Sequence, residues 1–368
     1  GRQQIGQYGV LMTTLGMFGV VAGFGIGATA TRYIAKFRAT DRERTGRVIG
    51  LSRLVAAMTG GLATLALFLG APLLATRMLA APELTSLLQL GSIQVLLSAV
   101  NSAQYGILAG FESFYGIARL SLFSAALSFV LIVTGIVWQG VHGAVLGQVL
   151  AIAIGLLLGE WAVWRETRRH AIKCCYQGCG AERRILFDFS LPAVLSGVMV
   201  TPITWGAMAI VVNQPGGYAE MGLFNAANSW QKVILFVPGC LGSVALPLLT
   251  NLHTSEIDQS FRRALRYQLL ANLLLAAVPA LLIALCSWLI LAGYGPTFRS
   301  GWPVLVVLAC AAVPNAVAAA LGTALASIGA MWLGVVLNGV WGILLLICTW
   351  LLSRWGAFGL AGAYATAY

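Results

Sequence analysis

A group of polar side chains interrupts a long apolar stretch of the chain at residues 222–249. Within it, Asn225, Asn228, Ser229 and Lys232 recur at intervals of three and four residues. On a helix this spacing places two amides, a hydroxyl and an ammonium along one side, called here the polar stripe. The other side of the helix is predicted to carry the apolar residues Leu223, Val233, Leu235 and Phe236.

Lys232 is the only full charge in this stretch. A lysine deep in a membrane helix costs roughly 2.5–3.5 kcal/mol, so its side chain should face a polar interior. One interpretation is a water-filled cavity whose cation attracts an anionic substrate. The other is structural: the lysine reaches the membrane surface, and the amides and hydroxyl bond to neighbouring helices.

The composition requires that the helix carrying the stripe lie in a membrane. Hydrophobic residues make up 59% of the chain and charged residues 9%, with a mean hydropathy of +0.88. Soluble domains carry about 25% charged residues, so a soluble globular protein is excluded. Ten apolar stretches are long enough to span a bilayer: 10–33, 54–79, 84–108, 120–138, 144–164, 186–212, 223–249, 269–291, 304–328 and 331–352.

The two ends of the sequence suggest further spans. The apolar run at residues 355–368 resembles the start of another helix, and the chain opens with Gly1 rather than a methionine. We therefore expect a spanning segment upstream of residue 1 and an incomplete last span.

The basic residues alternate between the two sides of the predicted membrane. Seventeen of the twenty-two follow the first, third, fifth and seventh spans, whereas Arg2, Arg77, Arg299 and Arg354 fall on the other side. Cytoplasmic loops are enriched in lysine and arginine, so the chain is predicted to start outside the cell membrane. The net charge of +11 is thus a membrane-topology signal, and nucleic acid is not an expected partner.

Two further features of the first half have a structural and a functional interpretation. Gly19, Gly23 and Gly27 recur at every fourth position of the first span, which favours close helix packing or, alternatively, a bend. Arg32 follows them as either an anchoring cation or a rim residue of a cytoplasmic vestibule.

Residues 1–165 are predicted to form an N-terminal bundle, 166–184 a cytoplasmic linker and 185–368 a C-terminal bundle. The linker contains four potential metal ligands, His170, Cys174, Cys175 and Cys179. Their spacing matches no standard zinc pattern, and no motif calls for a cofactor.

The sequence offers a second group of candidates near the membrane boundary. Asp188 and Glu160 are interpreted as capping residues or as protonatable acids that couple transport to an ion gradient. Thr201 and Trp205 belong to a further stripe that tolerates polar groups.

A weak internal repeat relates the two halves of the chain. When the chain is aligned with itself so that Gly6 falls on Gly222, Tyr8 falls on Phe224, and the first span falls on the seventh in the same orientation. Parallel repeats of this kind predict two similar bundles related by an axis along the membrane normal, with a substrate path between them.

Several segments of the sequence are similar to a known protein family. These are GQYG at 6–9, TRYIA at 31–35, and FNAANSW with LFVPGCLGSVALPLLTNL between 224 and 252. They resemble the oligosaccharide flippases of bacterial O-antigen and capsule synthesis. These flippases belong to the multidrug/oligosaccharidyl-lipid/polysaccharide exporter superfamily. The resemblance implies an all-α, MATE-like fold of two six-helix bundles around a V-shaped cavity, of which this sequence would lack the first helix and most of the twelfth. Cationic cavity residues are typical of such flippases, and Lys232 fits that description best.

The favoured function is therefore a flippase that moves a polyprenyl-diphosphate-linked oligosaccharide from the cytoplasmic to the periplasmic leaflet of the bacterial inner membrane. Its expected partners are this lipid-linked saccharide, membrane lipids and other polysaccharide-assembly proteins. The candidate substrate-binding residues are Lys232, Asn225, Asn228, Ser229, Thr201, Trp205 and Arg32. There is no Walker-type loop, so transport would use an ion gradient or consumption of the product.

Two other functions follow from the same sequence. A multidrug or cation antiporter of the same fold would need an acid deep in the cavity, whereas Glu160 and Asp188 lie near the boundary. A membrane glycosyltransferase or polymerase would need catalytic groups outside the membrane, where the connections are short and carry no paired carboxylates. The protein is therefore not expected to be an enzyme.

Overall fold

The computed structural model describes residues 1–23, 25–176, 178–182, 199–254, 258–328 and 330–368. Within them the chain is almost entirely helical, and no strand occurs. Seven helical stretches of these residues are long and apolar enough to cross a membrane. The predicted all-α, multi-pass membrane fold is confirmed.

Five helices form the first half of the described chain. They are α1 (Arg2–Gly23), α2 (Ile26–Phe37), α3 (Arg42–Leu73, extended by a π-helical turn at Leu74–Met78), α4 (Leu84–Gly110) and α5 (Phe114–Arg169). Gly25, with φ of 60°, separates α1 from α2 in a conformation that favours glycine. Asp41 caps α3 by accepting a hydrogen bond from the backbone N–H of Arg44 at 2.8 Å.

Helix α5 contains two of the predicted spans. Gln139 (φ −137°, ψ 20°) and Gly140 (φ 59°, ψ −131°) break the helical path between them. On either side of this break, Gly135 and Gly143 lie so close that a Cβ on either would collide with the backbone carbonyl of the other. The positive φ and the close approach together explain why a turn of so few residues suffices here.

Seven helices form the described part of the second half. They are α6 (Val200–Val212), α7 (Gly217–Thr254), α8 (Asp258–Leu285), α9 (Ser287–Gly293), α10 (Trp302–Ser327), α11 (Met331–Leu352) and α12 (Gly356–Ala367). Short 3-10 turns at Pro296–Gly301 and Ser353–Trp355 precede α10 and α12. Glu220, in the first turn of α7, accepts a hydrogen bond from the backbone N–H of Ala357 at 2.9 Å and so caps α12.

The chain divides into two compact units. The N-terminal unit comprises Leu11–Thr201, and the C-terminal unit comprises Gly1–Val10 with Pro202–Tyr368. The predicted domain boundaries at residues 165 and 185 remain a prediction.

The N-terminal unit has a buried apolar core formed by α2, α3, α4 and α5. Its fully or nearly buried members are Ala30, Ile34, Phe37, Val48, Ile49, Ile107, Leu108, Phe111, Leu120, Val163 and Ile172. Gly27 and Gly106 allow α2 and α4 to approach backbone to backbone. The expected packing face of the first span is thus found at Gly27, whereas a Cβ at Gly19 or Gly23 would meet open space among the described residues.

The residues after α5 are docked on α3. The N–H of Cys175 donates to the carbonyl of Gly46 at 3.2 Å, and side chains at Gly46 or Gly50 would collide with the linker backbone. At the end of this segment, the buried Glu182 accepts two hydrogen bonds from Arg44, at 2.9 and 3.1 Å. The described part of the linker, up to residue 176 and again at 178–182, is therefore packed within the N-terminal unit.

The C-terminal unit is held together by α7, α8 and α10. Their contact is formed by Ile234, Ala276, Ala280, Ala309, Ala312 and Ala316, all buried. The first turns of α1 pack against α7 in this unit. Side chains at Gly6 and Gly222 would collide with the carbonyls of Tyr218 and Arg2, respectively, so these glycines permit the crossing.

Candidate functional site

Helix α7 carries all four residues of the polar stripe. Asn225 and Asn228 are half-buried, whereas Ser229 and Lys232 are exposed. The Ser229 hydroxyl donates to the carbonyl of Asn225 at 2.9 Å, which leaves the oxygen of that hydroxyl able to accept. Within the part of the chain that the structure describes, Lys232 has no ion pair. Its ammonium is therefore available to an anion.

Asn225 lies where α1 crosses α7. A Cβ at Gly9 would overlap the Asn225 amide, so glycine at this position makes room for the amide. The Nδ2 of Asn225 is buried and has no hydrogen-bond partner among the described residues. An unsatisfied buried donor costs about 1–3 kcal/mol, so a ligand oxygen that bonded to it would be stabilised.

Gln231 is a residue that the sequence interpretation missed. Its side chain is only 4% exposed, and its Nε2, like that of Asn225, lacks a partner in the described ranges. It follows Asn228 by three residues and so flanks the polar stripe. This spacing was the signal that could have identified it.

The apolar side of α7 differs from the prediction at two positions. Leu223 is buried and Leu235 is half-buried, but Val233 is 59% exposed and Phe236 is 70% exposed. Ser229 precedes Val233, and Lys232 precedes Phe236, by four residues, so these apolar side chains share the exposed side of the stripe. The interpretation that placed them opposite Lys232 was wrong for this reason.

The remaining binding candidates lie on other helices. Arg32 is exposed on α2, with its guanidinium carbon 5.9 Å from the centre of the Tyr33 ring. Thr201 and Trp205 are half-buried on α6. The three residues stay predictions as substrate contacts.

Glu160 lies in a polar cluster of the N-terminal unit. It forms an ion pair of 2.7 Å with Arg53 of α3 and accepts a hydrogen bond of 3.1 Å from the amide of Gln104 on α4. A coupling role for Glu160 would therefore require release of Arg53 when the acid takes up a proton. Asp188, the other coupling candidate, lies outside the described residues.

The potential metal ligands of the linker have other contacts. His170 stacks on Phe111 with ring centres 4.9 Å apart, and its Nδ1 is 3.0 Å from the carbonyl of Glu166. Cys179 is buried, whereas Cys174 and Cys175 are partly exposed. The described residues contain no group of three or more side chains placed to hold a metal ion.

Comparison with known proteins identifies related sequences. Residues 1–253 match the family described as polysaccharide biosynthesis protein. The EPS I polysaccharide export inner membrane protein EpsE of Ralstonia nicotianae is 25% identical over 335 residues, covering 89% of this chain and 75% of that protein. Its counterpart in Ralstonia solanacearum is 28% identical over 235 residues, covering 61% of this chain and 49% of that protein.

A solved structure resembles the fold over the whole chain. It is a multidrug resistance MATE family transporter of the MOP superfamily in an inward-facing conformation, with a TM-score of 0.81. The two sequences are 16% identical, and the match covers 100% of this chain and 88% of the other. At this identity the likeness establishes a MATE-like fold.

Proposed function

Because this chain belongs to the polysaccharide biosynthesis protein family and has a MATE-like fold, we propose that it is a lipid-linked oligosaccharide flippase. It moves a polyprenyl-diphosphate-linked saccharide from the cytoplasmic to the periplasmic leaflet of the inner membrane by alternating access. The product serves the synthesis of O-antigen or another surface polysaccharide. The protein is a transporter in this proposal and carries out no bond-making chemistry.

The observation that carries the proposal is the donor-rich surface of α7. Within the described residues, Lys232 presents an exposed ammonium without an ion pair, and beside it Asn225 and Gln231 carry buried N–H groups without hydrogen-bond partners. The polar stripe and its flanking Gln231 contain no carboxylate. Such a surface suits a ligand rich in acceptor oxygens and bearing negative charge.

A polyprenyl-diphosphate-linked saccharide has this chemistry. Its diphosphate would bind the Lys232 ammonium through charge-assisted hydrogen bonds, which are about twice as strong as neutral ones. Its sugar hydroxyls would exchange hydrogen bonds with water for hydrogen bonds with Asn225, Asn228, Ser229 and Gln231. These contacts lower the cost of taking the headgroup out of water, while the polyprenyl chain remains in lipid.

The names of the relatives support a role in polysaccharide export. Both Ralstonia proteins are named as polysaccharide export proteins of the inner membrane. A chain without a Walker motif would draw on an ion gradient or on consumption of the flipped saccharide. Glu160 is the coupling candidate within the described residues, with Arg53 as the group that its protonation would release.

The test is transbilayer movement of a labelled undecaprenyl-diphosphate-linked saccharide by the full-length protein in proteoliposomes. A cationic dye is the comparison substrate. We expect the fraction of the saccharide label that a membrane-impermeant quencher can reach to change with time. We expect no efflux of the dye.

Dye efflux without saccharide movement would overturn the proposal in favour of an antiporter. Movement of neither substrate, in vesicles where the protein is folded and correctly inserted, would also overturn it. Protein-free vesicles give the baseline rate in each case.

A further inference from the structure

The connection between α8 and α10 in the C-terminal unit is rich in aromatic side chains. It consists of α9 and the 3-10 turn at Pro296–Gly301, and Trp288, Tyr294 and Trp302 are each about half exposed. Tryptophan and tyrosine are enriched at membrane–water interfaces, where their rings lie at the depth of the lipid headgroups. Since this segment joins two helices of a membrane bundle, we place it at the surface of the bilayer.

Two arginines contact this segment. Arg2 donates from Nη2 to the Ser300 hydroxyl at 2.7 Å, and its guanidinium carbon is 5.8 Å from the centre of the Phe298 ring. The guanidinium of Arg299 lies over the Trp288 ring at 4.2 Å. Ser300 and Phe298, which Arg2 contacts, adjoin Arg299 in the chain, so both arginines belong to this one short segment.

No acid among the described residues neutralises either arginine. Across the described ranges, Arg2 and Arg299 form no ion pair, and the Nε of Arg2 is buried without a hydrogen-bond partner. Glu220, an acid in the first turn of α7, accepts a hydrogen bond from the first turn of α12 instead. Two positive charges on this segment thus remain without an acidic partner among the described residues.

We propose that Arg2 and Arg299 form a binding site for the phosphate group of an anionic lipid headgroup in the outer leaflet. Guanidinium groups present several N–H donors in a planar arrangement that matches phosphate oxygens. The surrounding aromatic side chains place the site at headgroup depth, which favours a lipid phosphate over a free one. The site lies in the C-terminal unit alone and is independent of what the protein transports.

Native mass spectrometry of the purified full-length protein tests this site. The detergent-solubilised protein is titrated with phosphatidylglycerol or with phosphatidylcholine of the same chain length. We expect tight binding of at least one phosphatidylglycerol that phosphatidylcholine does not match and that millimolar inorganic phosphate does not displace. Displacement by inorganic phosphate, or equal binding of both lipids, would overturn the assignment to an anionic lipid.

Variants locate the binding. Each basic residue near an anionic lipid surface is worth about a fivefold change in affinity, so Arg2→Gln and Arg299→Gln should each weaken phosphatidylglycerol binding by about that factor. Arg77→Gln, an exposed arginine of the N-terminal unit, is the matched control and should leave binding unchanged.

Arg2→Lys and Arg299→Lys keep the charge and serve if a glutamine variant does not fold. They should bind with affinity between that of the wild type and that of the glutamine variants. If all folded variants bind phosphatidylglycerol like the wild type, the site does not lie at these arginines.

Discussion

At the scale of single residues, we expect Lys232 to supply the charge by which α7 binds the diphosphate of the proposed substrate. Hydrogen bonds to charged groups contribute about 1.5–3 kcal/mol, so Lys232→Ala should slow saccharide movement by roughly one to two orders of magnitude. Lys232→Arg keeps the charge and should retain part of the rate. The measurement is the proteoliposome assay with equal amounts of folded protein.

The matched control for this prediction is Lys36→Ala. Lys36 is also exposed, but it lies on α2 over the Phe37 ring at 5.5 Å and outside the polar stripe. Its removal should leave the rate near that of the wild type. Wild-type transport by Lys232→Ala would instead support the structural interpretation, in which the lysine reaches the membrane surface.

The polar stripe was predictable from the sequence, whereas its exposed apolar neighbours and the partner of Glu160 were not. The spacing of Asn225, Asn228, Ser229 and Lys232 predicted one stripe, and the helix places all four on α7. The spacing could not reveal that Val233 and Phe236 are exposed beside it, because apolar residues in a membrane protein can face either lipid or core. It could not reveal the partner of Glu160 either, since Arg53 lies more than a hundred positions earlier in the chain.

At the scale of secondary-structure elements, the crossing of α1 and α7 depends on two glycines. A methyl group at Gly6 or Gly222 would collide with backbone carbonyl groups, which cannot rotate away. Overpacking of this kind typically costs 1–3 kcal/mol, so Gly6→Ala and Gly222→Ala should lower the melting temperature of the purified protein.

Gly19→Ala is the control on the same helix. No described atom lies within 4 Å of a Cβ built at Gly19, and alanine is a better helix former than glycine. Its melting temperature should equal or exceed that of the wild type. A loss of stability at Gly19 equal to that at Gly6 would contradict the proposed crossing.

Docking of the linker on α3 gives a second element-scale prediction. The Glu182 side chain is 7% exposed and accepts from Arg44, whereas that of Glu43 is 80% exposed and pairs with Arg47 at 2.7 Å. Because Arg44 is 40% exposed in this pair, loss of the Glu182 charge should cost less than the roughly 3–5 kcal/mol of a fully buried pair. It should still cost more than the ~0.3–0.5 kcal/mol that an exposed pair on one helix contributes.

Glu182→Gln should therefore accelerate amide hydrogen exchange in residues 171–182, and Glu43→Gln should leave it nearly unchanged. Hydrogen–deuterium exchange of the two variants in the same detergent measures the difference. Equal protection of this segment in both variants would show that the ion pair does not hold the linker.

The helices themselves were largely predictable, because hydrophobic length determines where a chain can cross a bilayer. Spans 120–138 and 144–164 both lie within α5, and the turn between them is the break at Gln139 and Gly140. The docked linker was not predictable. Its contacts depend on glycines 46 and 50 in a helix far away in the sequence, and local patterns carry no information about such pairs.

At the scale of the whole molecule, the distribution of basic residues predicts the orientation in the membrane. Arg42 is exposed at the start of α3, on the side predicted to be cytoplasmic, and Arg77 is exposed at the end of the following π-helical turn. A membrane-impermeant maleimide added to intact cells should label Arg77→Cys and spare Arg42→Cys.

Permeabilised cells should show labelling of both variants, and the wild type gives the background from native cysteines. Labelling of Arg42→Cys alone in intact cells would reverse the orientation, and with it the leaflet assigned to the Arg2 and Arg299 site. The family and the fold would be unaffected.

The ion pair between α3 and the linker also has a consequence for the order in which the protein is made. Arg44 precedes Glu182 by 138 residues, which corresponds to about 7–28 s at ordinary rates of synthesis. During that interval Arg44 and Arg47 are positive charges without this partner, free to retain the start of α3 in the cytoplasm. When Glu182 leaves the ribosome, the same arginines can pair with it in the folded N-terminal unit. Residues that first direct membrane insertion therefore later stabilise the docked linker.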